Sequence, residues 1–199
     1  TAAAAVKLGM KCCLVLRGTD TKQFEGNLLI NRLLGSDIRF ITAEEYSNQR
    51  AEIMEGIKHE LGQEGLKPYI IPEGASNGIG SFGYYTAMEE IIEQEKELNI
   101  NFDCIVLATG SGGTYAGLWL ANRLHKHPAD IFGINVGGDA EYFKNRIQEI
   151  LYESLEYMDI NMQICRDDIN IIDGYVGRGY ALSRPEELKF INDLAKLEG

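Results

Sequence analysis

Apolar positions along this chain recur with two alternating periods. Leu28, Leu29, Leu33 and Leu34 share one stripe of a helix predicted over 24–35, with Gly35 as its C-terminal cap. Ile53, Ile57 and Leu61 stand four residues apart inside a longer helix predicted over 43–65. Between the helical stretches lie short apolar runs of strand length: 11–17 (KCCLVLR), 37–42 (DIRFIT), 68–72 (PYIIP), 102–109 (FDCIVLAT), 131–138 (IFGINVGG) and a run near 161–165. The continuous run at 102–109 predicts a strand covered on both faces. Further helices are predicted over 1–9, 84–98, 115–127, 139–158 and 184–198, while the Gly/Ser/Asn-rich stretch 73–83 (EGASNGIGSFG) reads as a loop.

Short strands separated by helices predict an α/β fold of open, mainly parallel twisted sheets flanked by helices, because parallel neighbours need a crossover. The loop at 73–83 is the expected domain crossing. It divides the chain into a small α/β unit, 1–72, and a larger cofactor-binding unit, 73–199.

Charge narrows the partners. The formal net charge is -11 and the 19 Lys and Arg are scattered without a basic run, which excludes nucleic acid and anionic membranes as partners. No apolar stretch approaches the roughly 20 residues that span a bilayer. The opening TAAAAVKLG has no signal-peptide pattern. It begins as if inside a helix, and the chain stops on a helix-end glycine, so a fragment of a longer protein is expected. Cys12, Cys13, Cys104 and Cys165 form no C-x-x-C pair and have no His at metal-ligand spacing. No metal site is expected; the thiols read as buried and free in a reducing, cytoplasmic compartment.

The sharpest chemical feature is 105–121, IVLATGSGGTYAGLWLA: strand, glycine loop, helix. Gly110, Gly112 and Gly113 let main-chain amides converge, Ser111 and Thr114 add hydroxyls, and the following helix points its positive end at the loop. These groups predict a phosphate seat. No Lys follows the loop, so it is not a Walker A site. Gly110, Gly112 and Ala116 or Gly117 match a dinucleotide fingerprint only loosely, and Asp130 precedes its strand where that fold needs an acid at a strand end. A small phosphorylated cofactor fits best. A Rossmann-type nucleotide domain and a non-catalytic phosphate-cofactor-binding module stay open as rival readings.

The segment GSGGTYAGL after a buried strand resembles the phosphate cup of pyridoxal-phosphate enzymes of the tryptophan-synthase-β type. Three further segments extend the likeness: RGTDTKQFEGNLLINRLLGSDI (17–38), IPEGASNGIGSFGY (71–84), and DGYVGRGYAL (173–182) followed by LAKLEG. Together they resemble the D-cysteine desulfhydrase and 1-aminocyclopropane-1-carboxylate deaminase family over nearly the whole chain.

That resemblance implies two open, mainly parallel twisted sheets, pyridoxal 5'-phosphate as cofactor, a small amino-acid substrate and a homodimer. It implies that Gly110, Ser111, Gly112, Gly113 and Thr114 hold the cofactor phosphate. Tyr175 would lie near substrate and cofactor ring, as a proton carrier or ring-stacking group. Glu73, Gly74, Ser76 and Asn77 would lie at the domain junction, on the substrate side or behind it. The family's Schiff-base lysine would precede residue 1, and Lys7, Lys11 and Lys22 do not match it, so this chain alone is expected to be inactive. The implied reaction is D-cysteine desulfhydration to pyruvate, sulfide and ammonia, or deamination of the cyclopropane acid. Among other residues, His59, His125 and His127 read as surface groups and Glu89, Glu90, Glu93, Glu95 and Glu97 as a solvated helix face. Asp167 and Asp168 read as an exposed loop, and Trp119 as core.

Overall fold

A computed structural model describes residues 1–20, 25–179 and 182–198. Lys22, the helix start expected at Phe24, and Tyr180 of the quoted motif lie outside the described residues. The chain divides into two compact units, Thr1–Ile70 and Ile71–Gly199. Each carries a parallel sheet, as the α/β reading expects. Among the described residues no helix is long and apolar enough to cross a membrane.

In the first unit, α1 (Ala2–Lys7) leads to β1 (Cys13–Arg17), and α2 (Gly26–Leu33) is the crossover to β2 (Asp37–Ile41). The strands pair in parallel from Cys13 opposite Asp37 to Arg17 opposite Ile41. Thr42 then starts a helix by a capping box: its hydroxyl accepts from the Glu45 amide at 3.1 Å, and its own amide donates to the Glu45 carboxylate at 2.7 Å. The helix expected over 43–65 is two helices, α3 (Ala43–Asn48) and α4 (Arg50–Gln63). Gln49 leaves helical geometry (φ -128°, ψ 3°), and the break sets the Arg50 guanidinium 4.7 Å from the Tyr46 ring centre. PYIIP forms no strand; Pro68 and Pro72 have no amide hydrogen to give a ladder.

In the second unit the order is α5 (Gly78–Leu98), β3 (Cys104–Thr109), α6 (Gly113–His125), β4 (Asp130–Asn135), α7 (Ala140–Tyr157), β5 (Asn170–Ile172) and α8 (Pro185–Glu198). The sheet runs β3-β4-β5, all parallel, with Thr109 opposite Asn135 and Phe132 opposite Asn170. The core gathers Met88, Tyr115, Leu120, Ile147, Ile150, Leu151 and Ile169, all fully buried. Tyr115 stitches β4 to β5: its hydroxyl donates to the Ile131 carbonyl at 3.1 Å and accepts from the Asn170 amide at 2.8 Å. Burial pushes that phenol up to about 12. Trp119 is core, as expected; its indole donates to the Asp168 carbonyl at 3.1 Å.

Several expectations are corrected. Most of the glycine-rich stretch is helical, since α5 begins at Gly78, not near residue 84. The Asn77 side chain accepts from the Gly80 amide at 2.8 Å and caps it. The glycines serve close helix contacts: a Cβ on Gly78 would lie 2.8 Å from the Glu153 backbone, and one on Gly117 would lie 2.2 Å from the Ser81 carbonyl oxygen. The hydroxyls of Ser81 and Ser154 meet at 2.9 Å between α5 and α7.

The strand expected near 161–165 is displaced to Asn170–Ile172. Side chains of α7 take the earlier segment's backbone groups: Gln148 donates to the Ile164 carbonyl at 3.0 Å and the Ile164 amide donates to the Tyr152 hydroxyl at 3.4 Å. One face of β3 is open, with Cys104 exposed and Val106 59% exposed, so the strand is not covered on both faces as expected.

The cysteines are free but not buried: Cys104 and Cys165 are exposed, Cys12 and Cys13 half-buried. Burial, then the Asp37 carboxylate, pushes the Cys13 thiol up to about 11. His127 and Glu95 are not surface groups. Their side chains are 10% and 6% exposed and meet at 2.6 Å. Glu95 also accepts the Phe102 amide at 2.7 Å, and that bond, then His127, holds its carboxyl below the usual range.

Candidate active site

The strand–helix junction after β3 carries the candidate anion seat. Gly112 caps α6 with φ +91°, a backbone shape that side-chain-bearing residues rarely adopt. The Gly113 amide donates to the Ser76 hydroxyl at 3.1 Å. Among the described residues, the amides of Ser111, Gly112 and Thr114 meet no protein acceptor. The Ser76 hydroxyl in turn donates to the Ser111 hydroxyl at 2.6 Å. Ser76 lies in a turn opened by a one-turn 3-10 helix, Glu73–Ala75, where Gly74 has φ +67°. A Cβ on Gly74 would strike the Ser111 hydroxyl at 2.4 Å, and one on Gly113 would sit 2.7 Å from the Ser76 hydroxyl. Arg146 of α7 donates to the Ser76 carbonyl at 2.7 Å and pairs with Glu149 at 2.8 Å, tying α7 to the turn behind the loop.

The ends of β4 and β5 form the neighbouring rim. Asn135, fully buried, donates to the Asp173 carboxylate at 2.6 Å and to the Gly138 carbonyl at 3.1 Å. It accepts from the Gly137 amide at 2.8 Å. Asp173 also accepts from the Ala140 amide, at 3.2 Å, at the start of α7. The chain then passes to Tyr175, which is 70% exposed. Tyr175, Gly110, Val136, Val176 and Glu187 line one open cleft of about 560 Å³. The Arg184 amide and side chain hold the Glu187 carboxyl below the usual range.

The structure thus brings Gly110 and Tyr175 to one cleft, and Gly74 and Ser76 onto the loop Gly110–Thr114. Asn77 instead caps α5, and Glu73 opens the turn. Sequence reasoning did not single out Asn135, Arg146, Asp173 or Glu187. Asp173 stood inside a quoted motif without a role. Arg146 on an amphipathic helix looks like any surface arginine.

Three amides without a protein acceptor among the described residues, two hydroxyls and the positive end of a 13-residue helix suit a phosphate monoester. A carboxylate would use fewer of these donors. The fold is that of an α/β domain with a candidate phosphate seat after β3.

The chain belongs to the pyridoxal-phosphate dependent enzyme family, whose model matches residues 1–199. It is 38% identical over its full length to an Arabidopsis thaliana bifunctional D-cysteine desulfhydrase/1-aminocyclopropane-1-carboxylate deaminase, mitochondrial, covering 50% of that protein. It is 31% identical over its full length to the 1-aminocyclopropane-1-carboxylate deaminase of Rhizobium rhizogenes, covering 60% of it. The crystal structure of an ACC deaminase homologue superposes with a TM-score of 0.85 at 33% identity, over 98% of this chain and 57% of that one. The chain therefore spans about half to three fifths of the length of these relatives. The resemblance read from the motifs, the fold type and pyridoxal phosphate as the family's cofactor are borne out.

Proposed function

We propose that the whole protein is a pyridoxal-phosphate-dependent lyase or deaminase of small amino acids, with Gly110–Thr114 as the phosphate seat. The observation that carries this reading is the set of open amides at Ser111, Gly112 and Thr114, beside a cleft that Gly110 and Tyr175 share. When bound, the cofactor supplies an electron sink for bond cleavage at the substrate. The residues of this chain hold and orient it: the loop amides and the Ser111 and Thr114 hydroxyls fix the phosphate, each charge-assisted bond contributing roughly 1.5–3 kcal/mol. Tyr175 reaches into the same cleft, where its hydroxyl orients substrate or carries a proton. Glu73, Gly74, Ser76 and Asn77 shape the turn behind the loop. The two domains of this reading are 1–72 and 73–199, and a homodimer is the expected assembly, checked by light scattering.

Two substrates follow from the relatives' names. D-Cysteine would give pyruvate, sulfide and ammonia; 1-aminocyclopropane-1-carboxylate would give 2-oxobutanoate and ammonia. The Arabidopsis name carries both activities and the Rhizobium name the second, so the whole protein should be assayed with each.

The central test is Gly112→Asp in the whole protein. Its φ of +91° strains any side chain there, and a carboxylate repels phosphate. Loss of the cofactor's visible absorbance after dialysis is expected; unchanged affinity would remove the assignment. Tyr175→Phe should keep the cofactor and lower kcat by about tenfold or more, in line with a proton-transfer role. Normal turnover would make Tyr175 a packing residue.

A further inference from the structure

We propose that Ser76 is a positioning residue for the cofactor phosphate, fixing the direction of the Ser111 hydroxyl so that Ser111 donates into the anion seat. The proposal rests on the phosphate-seat reading above.

Ser76 lies 35 residues before Ser111 and is 3% exposed. Its hydroxyl has one proton to give. The Gly113 amide donates to it at 3.1 Å, so that side of the oxygen is an acceptor. Its proton has two acceptors within reach, the Ser111 hydroxyl at 2.6 Å and the Gly74 carbonyl at 3.5 Å. The shorter bond wins, since the longer one is at the limit of a hydrogen bond. Ser111 therefore accepts from Ser76, and its own proton is left for another acceptor. A phosphate dianion accepts only, so a hydroxyl fixed as a donor is what it needs. The relay runs from the Gly113 amide through Ser76 to Ser111 and out to the seat.

Ser76 is held at this post from three sides. Arg146 donates to its carbonyl at 2.7 Å. Gly113 presses within 3.0 Å of the Ser76 Cα by the position a Cβ would take, and the Gly74 turn closes on the Ser111 hydroxyl. Freedom lost in advance need not be lost on binding.

The test uses the full-length apoenzyme titrated with pyridoxal phosphate, and phosphorus-31 NMR of the bound phosphate. Ser111→Ala should raise Kd about tenfold, the loss of one bond to a charged group. Ser76→Ala should raise it by nearly the same factor and shift the phosphorus resonance. The double variant should be no weaker than Ser111→Ala alone, because Ser76 acts through Ser111. Ser76→Cys keeps the volume but offers only a weak donor, and should match the alanine variant. Wild-type affinity in Ser76→Cys, or losses that multiply in the double variant, would overturn the relay. So would an unchanged Ser76→Ala beside a weakened Ser111→Ala, which leaves the phosphate seat standing. Unchanged affinity in Ser111→Ala and Gly112→Asp alike would instead bring down the seat itself.

Discussion

The two units use the same βα vocabulary and differ in how they are packed. In Ile71–Gly199, 15 buried residues join one core cluster. Among the described residues of Thr1–Ile70 the buried hydrophobic ones are Ala2 and Ile41. The α2 stripe there stays open, with Leu29 39% and Leu33 77% exposed. Polar contacts take a larger share: Arg39 pairs with Asp37 and Glu60 at 2.9 Å each, and exposed pairs of this kind add only about 0–1 kcal/mol. Glycine shows the contrast most directly. Gly56 and Gly62 of α4 have nothing within 4 Å of a would-be Cβ, whereas Gly78 and Gly117 are pressed against neighbouring helices. At Gly56 and Gly62 glycine costs backbone entropy and gives no contact. At Gly78 and Gly117 it lets helices touch.

The largest expected effect tests that contact. Gly117→Val should destabilise by about 3 kcal/mol or more, because the Ser81 carbonyl is backbone and cannot step aside. Denaturant unfolding at neutral pH measures it, and a neutral result would erase the distinction between the units. Leu151→Ala, at a fully buried position, should cost about 2–5 kcal/mol, while Leu33→Ala in the open stripe should stay within about 0.5 kcal/mol.

Next comes Glu95→Gln. The Phe102 amide and His127 hold the folded carboxyl below its ordinary 4.5, so its contribution is present above that value and lost as pH falls through the lower folded one. At pH 7 the variant should melt a few degrees lower. The gap to wild type should close as the pH drops below about 4.5. A gap independent of pH would show that shape, not charge, matters there. Smallest is Gly56→Ala, expected to raise stability by about 0.5–1 kcal/mol in thermal melts, since α4 gains a helix former and loses no room.

How far these features were legible depends on where their causes lie in the chain. The strand, loop and helix around Gly110–Thr114 could be read because the requirement is local: three glycines and two hydroxyl residues within five positions. The helical start at Gly78 could not, because the neighbour that makes glycine necessary, Glu153, stands far along the chain. The Asn135–Asp173 bond spans 38 residues, and each partner alone looks like a loop polar residue. Glu95 sat among other glutamates, and its partners, the Phe102 amide and His127, lie beyond its own helix where periodicity cannot show them. Residues 161–165 are apolar enough for a strand; side chains from α7 had already engaged their backbone.

The chain has one tryptophan, Trp119, 6% exposed in the second unit with the Arg123 guanidinium 5.2 Å from its ring centre. Its fluorescence therefore speaks for the second unit, and the first unit contributes no indole emission. Followed alongside circular dichroism, which sees the helices of both units, that emission tests whether the two units melt together: coincident curves mean one transition, displaced curves two.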